Sequence, residues 1–175
     1  AINVYDKDTN QRVDYCDASV MVDKGAVQIG VIGAIGDCYS SISADQVEDI
    51  YFKTDDDLTT LVKEESNKLK AEGADFIVYV LHDGYGRSYS TVKNLSGNEY
   101  ESDGGVYYDT SLSNGYVDLV FEGHSHQSYI LKDEYGVYHL QGGGDNKKGG
   151  HGGVDGLGLL IGGLLLGSGR HAILF

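Results

Sequence analysis

Phe76-Ile77-Val78-Tyr79-Val80-Leu81-His82-Asp83-Gly84 decides the fold class. Six consecutive apolar residues read as a strand buried on both faces, and the run stops directly at a histidine, an aspartate and a glycine. Val117-Asp118-Leu119-Val120-Phe121 repeats the arrangement and runs into Glu122-Gly123-His124-Ser125-His126. Upstream lies a third apolar run, residues 27–35, with Ile29, Val31, Ile32 and Ile35. Ser19-Val20-Met21-Val22 and the turn signal Asp23-Lys24-Gly25 precede it, so this part reads as a hairpin.

A helix is expected between the 27–35 run and the run that begins at Phe76, over residues 55–72. Asp55, Asp56 and Asp57 place acid at its N-terminus, where the helix dipole favours it. Leu58, Leu61, Val62 and Leu69 fall on one face, and Gly73 sits where a helix C-terminus wants glycine. Residues 84–116 are polar and rich in Gly, Ser, Asn and Tyr, and read as one long loop, with a short helix near Asp109 to Ser113. Its tyrosines (Tyr85, Tyr89, Tyr100, Tyr107, Tyr108) offer either a stacking rim for a base or sugar or ordinary packing. A second hairpin follows, with strands over 128–132 and 137–141. The order predicts an α/β fold: a mixed, largely parallel sheet flanked by helices, with an antiparallel margin.

The end of the chain changes character. Residues 156–169 are almost wholly Gly, Leu and Ile, flanked by Gly-rich punctuation at 142–144 and 149–153. The stretch is too short and too glycine-rich for a spanning helix, which takes about 20 apolar residues. Division at residue 148 is therefore expected, with 1–148 as the domain and 149–175 as a Gly/Leu-rich tail.

Charge narrows the partners. With 27 acidic residues against 13 basic ones the formal net charge is -14, which argues against a nucleic-acid polymer or an anionic membrane surface. A substrate phosphate would be repelled at long range unless a bound cation reversed the local sign. Cys16 and Cys38 match no zinc spacing; they read as one disulfide or two free buried thiols. The first residues show no signal peptide.

The chemistry-bearing residues are His82, His124 and His126. Ligands of open α/β sheets bind beyond the carboxyl ends of strands. Neighbouring strands would bring the three imidazoles into one crevice, and imidazole suits Zn, Mn, Fe or Ni. Asp83, Asp109, Asp118 and Glu122 are candidate additional carboxylates, or acids that orient the ligands, or surface acids. His139 reads as structural or exposed in mid-strand, and His151 and His171 as parts of the tail.

Three segments in this order resemble a known family. Val31-Ile32-Gly33-Ala34-Ile35-Gly36-Asp37, Leu81-His82-Asp83-Gly84-Tyr85-Gly86 and Glu122-Gly123-His124-Ser125-His126-Gln127 are similar to the C-terminal half of the calcineurin-like metallophosphoesterase domain of bacterial 5'-nucleotidases and 2',3'-cyclic-nucleotide phosphodiesterases. The resemblance covers residues 3–148. It implies half of a metallophosphoesterase sandwich, with His82 and His124 ligating one divalent metal ion (Zn, Mn or Fe) and His126 another. It implies hydrolysis of a small-molecule phosphate ester, either a nucleotide-like monoester or a cyclic diester, and an extracytoplasmic setting. The family's N-terminal motifs, D-x-H, G-D-x-x-D and G-N-H, have no counterpart at the matching positions. The alternatives are therefore a non-catalytic metal-binding remnant and a half-domain that acts with a partner chain. The sheet's open side would be covered by the tail or by association.

Overall fold

The computed structural model describes residues 1–36, 39–83, 92–93, 99–100, 112–124 and 128–142. The tail, with His151 and His171, lies outside them, as do Asp37, Cys38, Asp109 and His126, and so do the family resemblance's Tyr85 and Gly86.

Among the described residues, ten strands and one α-helix run in the order β1 (Val4–Asp6), β2 (Ser19–Asp23), β3 (Gln28–Ile35), β4 (Ile50–Phe52), α1 (Asp55–Ala71), β5 (Phe76–His82), β6 (Val92–Lys93), β7 (Glu99–Tyr100), β8 (Leu119–Glu122), β9 (Ser128–Lys132) and β10 (Tyr138–Gly142). Six strands form the main sheet in the order β2-β3-β5-β8-β10-β9. Its centre is parallel: β3 with β5, β5 with β8 and β8 with β10. Both margins are antiparallel, β2 on β3 and β9 on β10. This is the mixed, largely parallel α/β sheet that the sequence predicts. The parallel centre turns all the chemistry-bearing strand ends the same way.

Alternation along the strands gives the sheet two apolar faces. On one, Ile32, Ile77, Tyr79 and Val120 pack with Leu58, Val62 and Leu69 of α1. On the other, Val22, Val31 and Val78 are buried among Val20, Ile29, Phe76, Val80, Leu119 and Phe121. Each fully buried aliphatic side chain contributes about 1.5–3 kcal/mol, so the uninterrupted apolar runs are what a doubly covered sheet needs. The helix follows its expected stripe with one addition. Ser66 is wholly buried beside Leu69, and its hydroxyl donates to the Tyr116 carbonyl at 2.5 Å, which satisfies the polar atom inside the apolar stripe. The chain leaves the helix through Gly73 at φ 104°.

Two features depart from the sequence reading, and a third lies beyond it. β1 and β4 form a separate antiparallel pair that the sequence analysis did not assign, because three-residue strands are too short for a periodic signal. The region read as one long loop holds β6 and β7, which pair antiparallel; the expected helix near Asp109 to Ser113 falls largely outside the described residues. Finally, the second hairpin folds back, so that β10 and not β9 lies beside β8.

Asn3 fastens the small sheet to the large one. It is wholly buried. Its amide donates to the carbonyls of Ile35 and Lys53, and its Oδ1 accepts the Ile35 N–H at 3.0 Å. The last residue of β3 is thereby fixed from outside its own sheet.

Candidate metal centre

Register brings three strand ends together. Ile35 of β3 is opposite His82 of β5, and Leu81 of β5 is opposite Glu122 of β8. Beyond the ladders, the Gly36 N–H donates to the His82 carbonyl at 3.1 Å and the Gly123 N–H to the Asp83 carbonyl at 3.3 Å. These two bonds extend the sheet by one residue at the point where the histidines leave it.

The rings of His82 and His124 lie with centroids 5.4 Å apart and planes at 69°, edge to face. Both are partly buried. Gly123 makes the approach feasible, since a Cβ there would stand 3.3 Å from His82 Nδ1. His124 itself adopts φ 67°, in the left-handed region, where an L side chain carries a penalty of about 1–2 kcal/mol. Strain of this kind persists where the surroundings over-determine the backbone, commonly at sites of function.

Two imidazoles bound to one tetrahedral ion through bonds of about 2.0–2.1 Å have centroids about 5 Å apart. The His82–His124 spacing fits that arrangement. Two neutral imidazoles are also the donor type that zinc and its neighbours accept. Among the described residues no group of three His, Cys, Asp or Glu side chains is gathered to hold a metal, and the third predicted ligand, His126, is outside those residues.

The candidate carboxylates separate clearly. Asp118 stands before β8, at the far end of the sheet from the histidines, and its Oδ2 accepts the Ile77 N–H at 2.8 Å. It ties two strand starts together and has no place in the crevice. Asp83 follows His82 at the correct end, partly buried. Glu122 is turned to a different task. Its Oε1 lies 2.8 Å from His139 Nδ1, and the other ring nitrogen, Nε2, lies 3.1 Å from Asp133 Oδ2.

His139 is thus held between two carboxylates, with a side chain only 4 % exposed. Carboxylates only accept, so both contacts are satisfied together when the ring carries both protons. Burial alone would lower the pKa of such a ring; the bond and charge of Glu122, and then those of Asp133, more than offset it and hold the pKa above the ordinary histidine value. Asp133 is anchored in turn, because its Oδ1 accepts the N–H groups of Tyr135 and Val137, both at 2.9 Å. Of the two sequence readings of His139, structural or exposed, the structure shows the first. Its partners are 17 and six residues away, a spacing that forms no motif. Cys16 is a free thiol, partly buried, 3.6 Å from the Ala1 carbonyl.

No protein-family profile and no curated protein sequence matches the chain. Solved structures do. A sulfate thiohydrolase, SoxB, from Thermus thermophilus superposes with a TM-score of 0.57 at 19 % identity, over 82 % of this chain and 22 % of that one. A Staphylococcus aureus protein assigned as a 5'-nucleotidase gives 0.54 at 18 %, over 81 % and 26 %. The Bacillus subtilis calcineurin-like phosphoesterase YfkN gives 0.52 at 20 %, over 81 % and 45 %. The chain therefore spans less than half the length of each of these proteins. At this level of identity the likeness is one of fold: the mixed, largely parallel sheet packed on α1 is shared with part of each of these structures.

Proposed function

We propose that this chain supplies a divalent-metal site to the hydrolysis of a small phosphate ester, with His82 and His124 as ligands of one ion and His126 as a ligand of another. The observation that supports this is the convergence of His82 and His124 at adjacent carboxyl ends of a parallel sheet, at a spacing one shared ion accommodates. A divalent ion held there would polarise a phosphoryl oxygen and lower the pKa of a bound water. The residues of the chain do the holding. β5 and β8 deliver the two rings, Gly123 lets them close, and the strained turn at His124 aims its ring toward His82. An ion at this point would also offset the chain's net negative charge where a phosphate must approach. The names of the structural neighbours, a thiohydrolase, a 5'-nucleotidase and a phosphoesterase, support ester hydrolysis; an extracytoplasmic setting is part of the same proposal and follows from the family resemblance alone.

A second reading has its own support. The family motifs D-x-H, G-D-x-x-D and G-N-H lack counterparts here, and they carry the carboxylate that bridges two metals. On that reading residues 1–148 bind metal without turnover, or act with a partner chain or a further copy that completes the site; the tail at 149–175 would cover apolar surface.

One experiment separates these readings. Metal content per chain is measured by elemental analysis, together with hydrolysis of a chromogenic phosphate monoester and a diester in added Mn²⁺ or Zn²⁺. Bound metal that disappears in His82→Ala and His124→Ala, with turnover lost in parallel, supports the enzyme. Bound metal with no turnover supports the second reading, and a wild-type chain that binds no metal overturns both.

A further inference from the structure

Resting on the metal-site reading above, we propose that His139 is a positioning residue for His124, acting through Glu122. The argument starts from the strained backbone. His124 needs an external restraint to stay at φ 67°, because relaxation toward ordinary φ values would recover about 1–2 kcal/mol. Besides the ladder that sets Glu122 opposite Leu81, two restraints act, among the described residues, just before it. One is the Gly123 N–H bond to the Asp83 carbonyl, long at 3.3 Å. The other is the Glu122 carboxylate, the last side chain of β8, drawn to His139 at 2.8 Å.

The second restraint is the stiffer. His139 belongs to β10, which is laddered to β8 in register, His139 opposite Val120. Its ring cannot swing away, because Nε2 is held by Asp133, and Asp133 is locked by two backbone donors of the β9–β10 turn. A chain of charge-assisted bonds thus runs from that turn to the end of β8. Removing His139 would take from Glu122, 9 % exposed, the charge-assisted partner at its Oε1. That loss would loosen the end of β8 from which Gly123 and His124 continue.

The test is binding of Zn²⁺ alone, by titration calorimetry, to the full chain and to His139→Gln, with far-UV circular dichroism as the check of folding and the ¹H–¹⁵N imidazole signals of His124 in the metal-free protein as a second readout. Loss of outer contacts of this kind typically weakens metal affinity about 10–100-fold, and that loss, with displaced His124 signals in a folded protein, is the expected result. Unchanged affinity and unchanged His124 signals in folded His139→Gln would overturn the positioning role and leave the metal site standing. Should the wild type bind no Zn²⁺ and His124→Ala change nothing, the metal-site reading falls, and the His124 signals alone then decide whether His139 positions that ring. If His139→Gln does not fold, Asp133→Asn takes its place, since the asparagine Oδ1 keeps the turn bonds to Tyr135 and Val137 while the charge behind His139 is gone. It should weaken Zn²⁺ binding in the same direction, and intact binding with intact His124 signals would overturn the proposal.

Discussion

The carboxyl group of Asp83 lies against the face of Gly36 on which a side chain would stand. The two residues close adjacent strand ends, and a Cβ built on Gly36 would overlap the Asp83 side chain, both its Cβ and its carboxyl group. Because the Gly36 N–H also donates to the His82 carbonyl, neither backbone can withdraw without breaking that bond. Gly36→Ala should therefore destabilise the fold by about 1–3 kcal/mol, the usual range for overpacking, and displace the His82 segment. Gly33→Ala is the control, since among the described residues its added Cβ meets only the Ala1 Cα, at 4.0 Å. Chemical denaturation of the two variants should show a lowered midpoint for the first and a small change for the second. Equal midpoints would show that Asp83 gives way freely.

Asn3 is the next most demanding position. Its side chain serves three backbone groups, two carbonyls and one N–H, in a wholly buried place. Asn3→Ala leaves them unpaired, and each buried orphan carries a penalty of about 1–3 kcal/mol. We expect a loss of about 3 kcal/mol or more in denaturant unfolding. Ser66→Ala removes a single bond, to the Tyr116 carbonyl, and should lose about 1 kcal/mol. A loss at Asn3 no greater than that at Ser66 would mean that water reaches the Ile35 and Lys53 groups.

How much of this was legible in the sequence depends on whether the signal was local. The β2–β3 hairpin, α1 and the two histidine-bearing strands are each written in consecutive residues: a turn at Asp23-Lys24-Gly25, a stripe at Leu58, Val62 and Leu69, and apolar runs that stop at His82 and before His124. Because parallel neighbours share direction, the meeting of His82 and His124 followed from those runs once the strands were adjacent. What stayed hidden was set by pairing across long separations. Nothing in Tyr138-His139-Leu140 says that β10 will slip between β8 and β9, and only that placement brings His139 to Glu122. Likewise Asp118 looked like a candidate ligand by proximity in sequence, although it stands at the opposite end of a four-residue strand from His124.

Stability should depend on pH through His139. Its pKa is raised in the folded protein by Glu122 and Asp133 against the opposing effect of burial, so the folded state holds this proton more tightly than the unfolded chain does. The contribution is complete below the unfolded histidine value, about 6.5. It declines as pH rises from there through the raised folded value, with a slope of at most about 1.4 kcal/mol per pH unit for one proton. Unfolding free energies measured between pH 6 and pH 9, with a chelator present, should show this decline. The informative curve is the difference between wild type and His139→Gln. A flat difference would show that the ring is not protonated between its two acids.

His124 sets stability against binding, and one substitution divides the two. At φ 67° an L residue carries a penalty of about 1–2 kcal/mol that glycine escapes, while glycine gives back about 0.5–1 kcal/mol through the greater freedom of its unfolded chain. His124→Gly should thus leave the metal-free protein as stable as wild type or more stable by about 0.5–1 kcal/mol, the pattern expected where strain is retained for function. His124→Ala keeps the strain and should not gain. Both should lose Zn²⁺ binding alike, because both lack the imidazole. Thermal unfolding in chelator, paired with a Zn²⁺ titration, reads the two effects separately. If His124→Gly is instead markedly less stable than wild type, the ring itself is holding the turn, and the left-handed backbone is a result of its packing against His82 and not a strain imposed from β8.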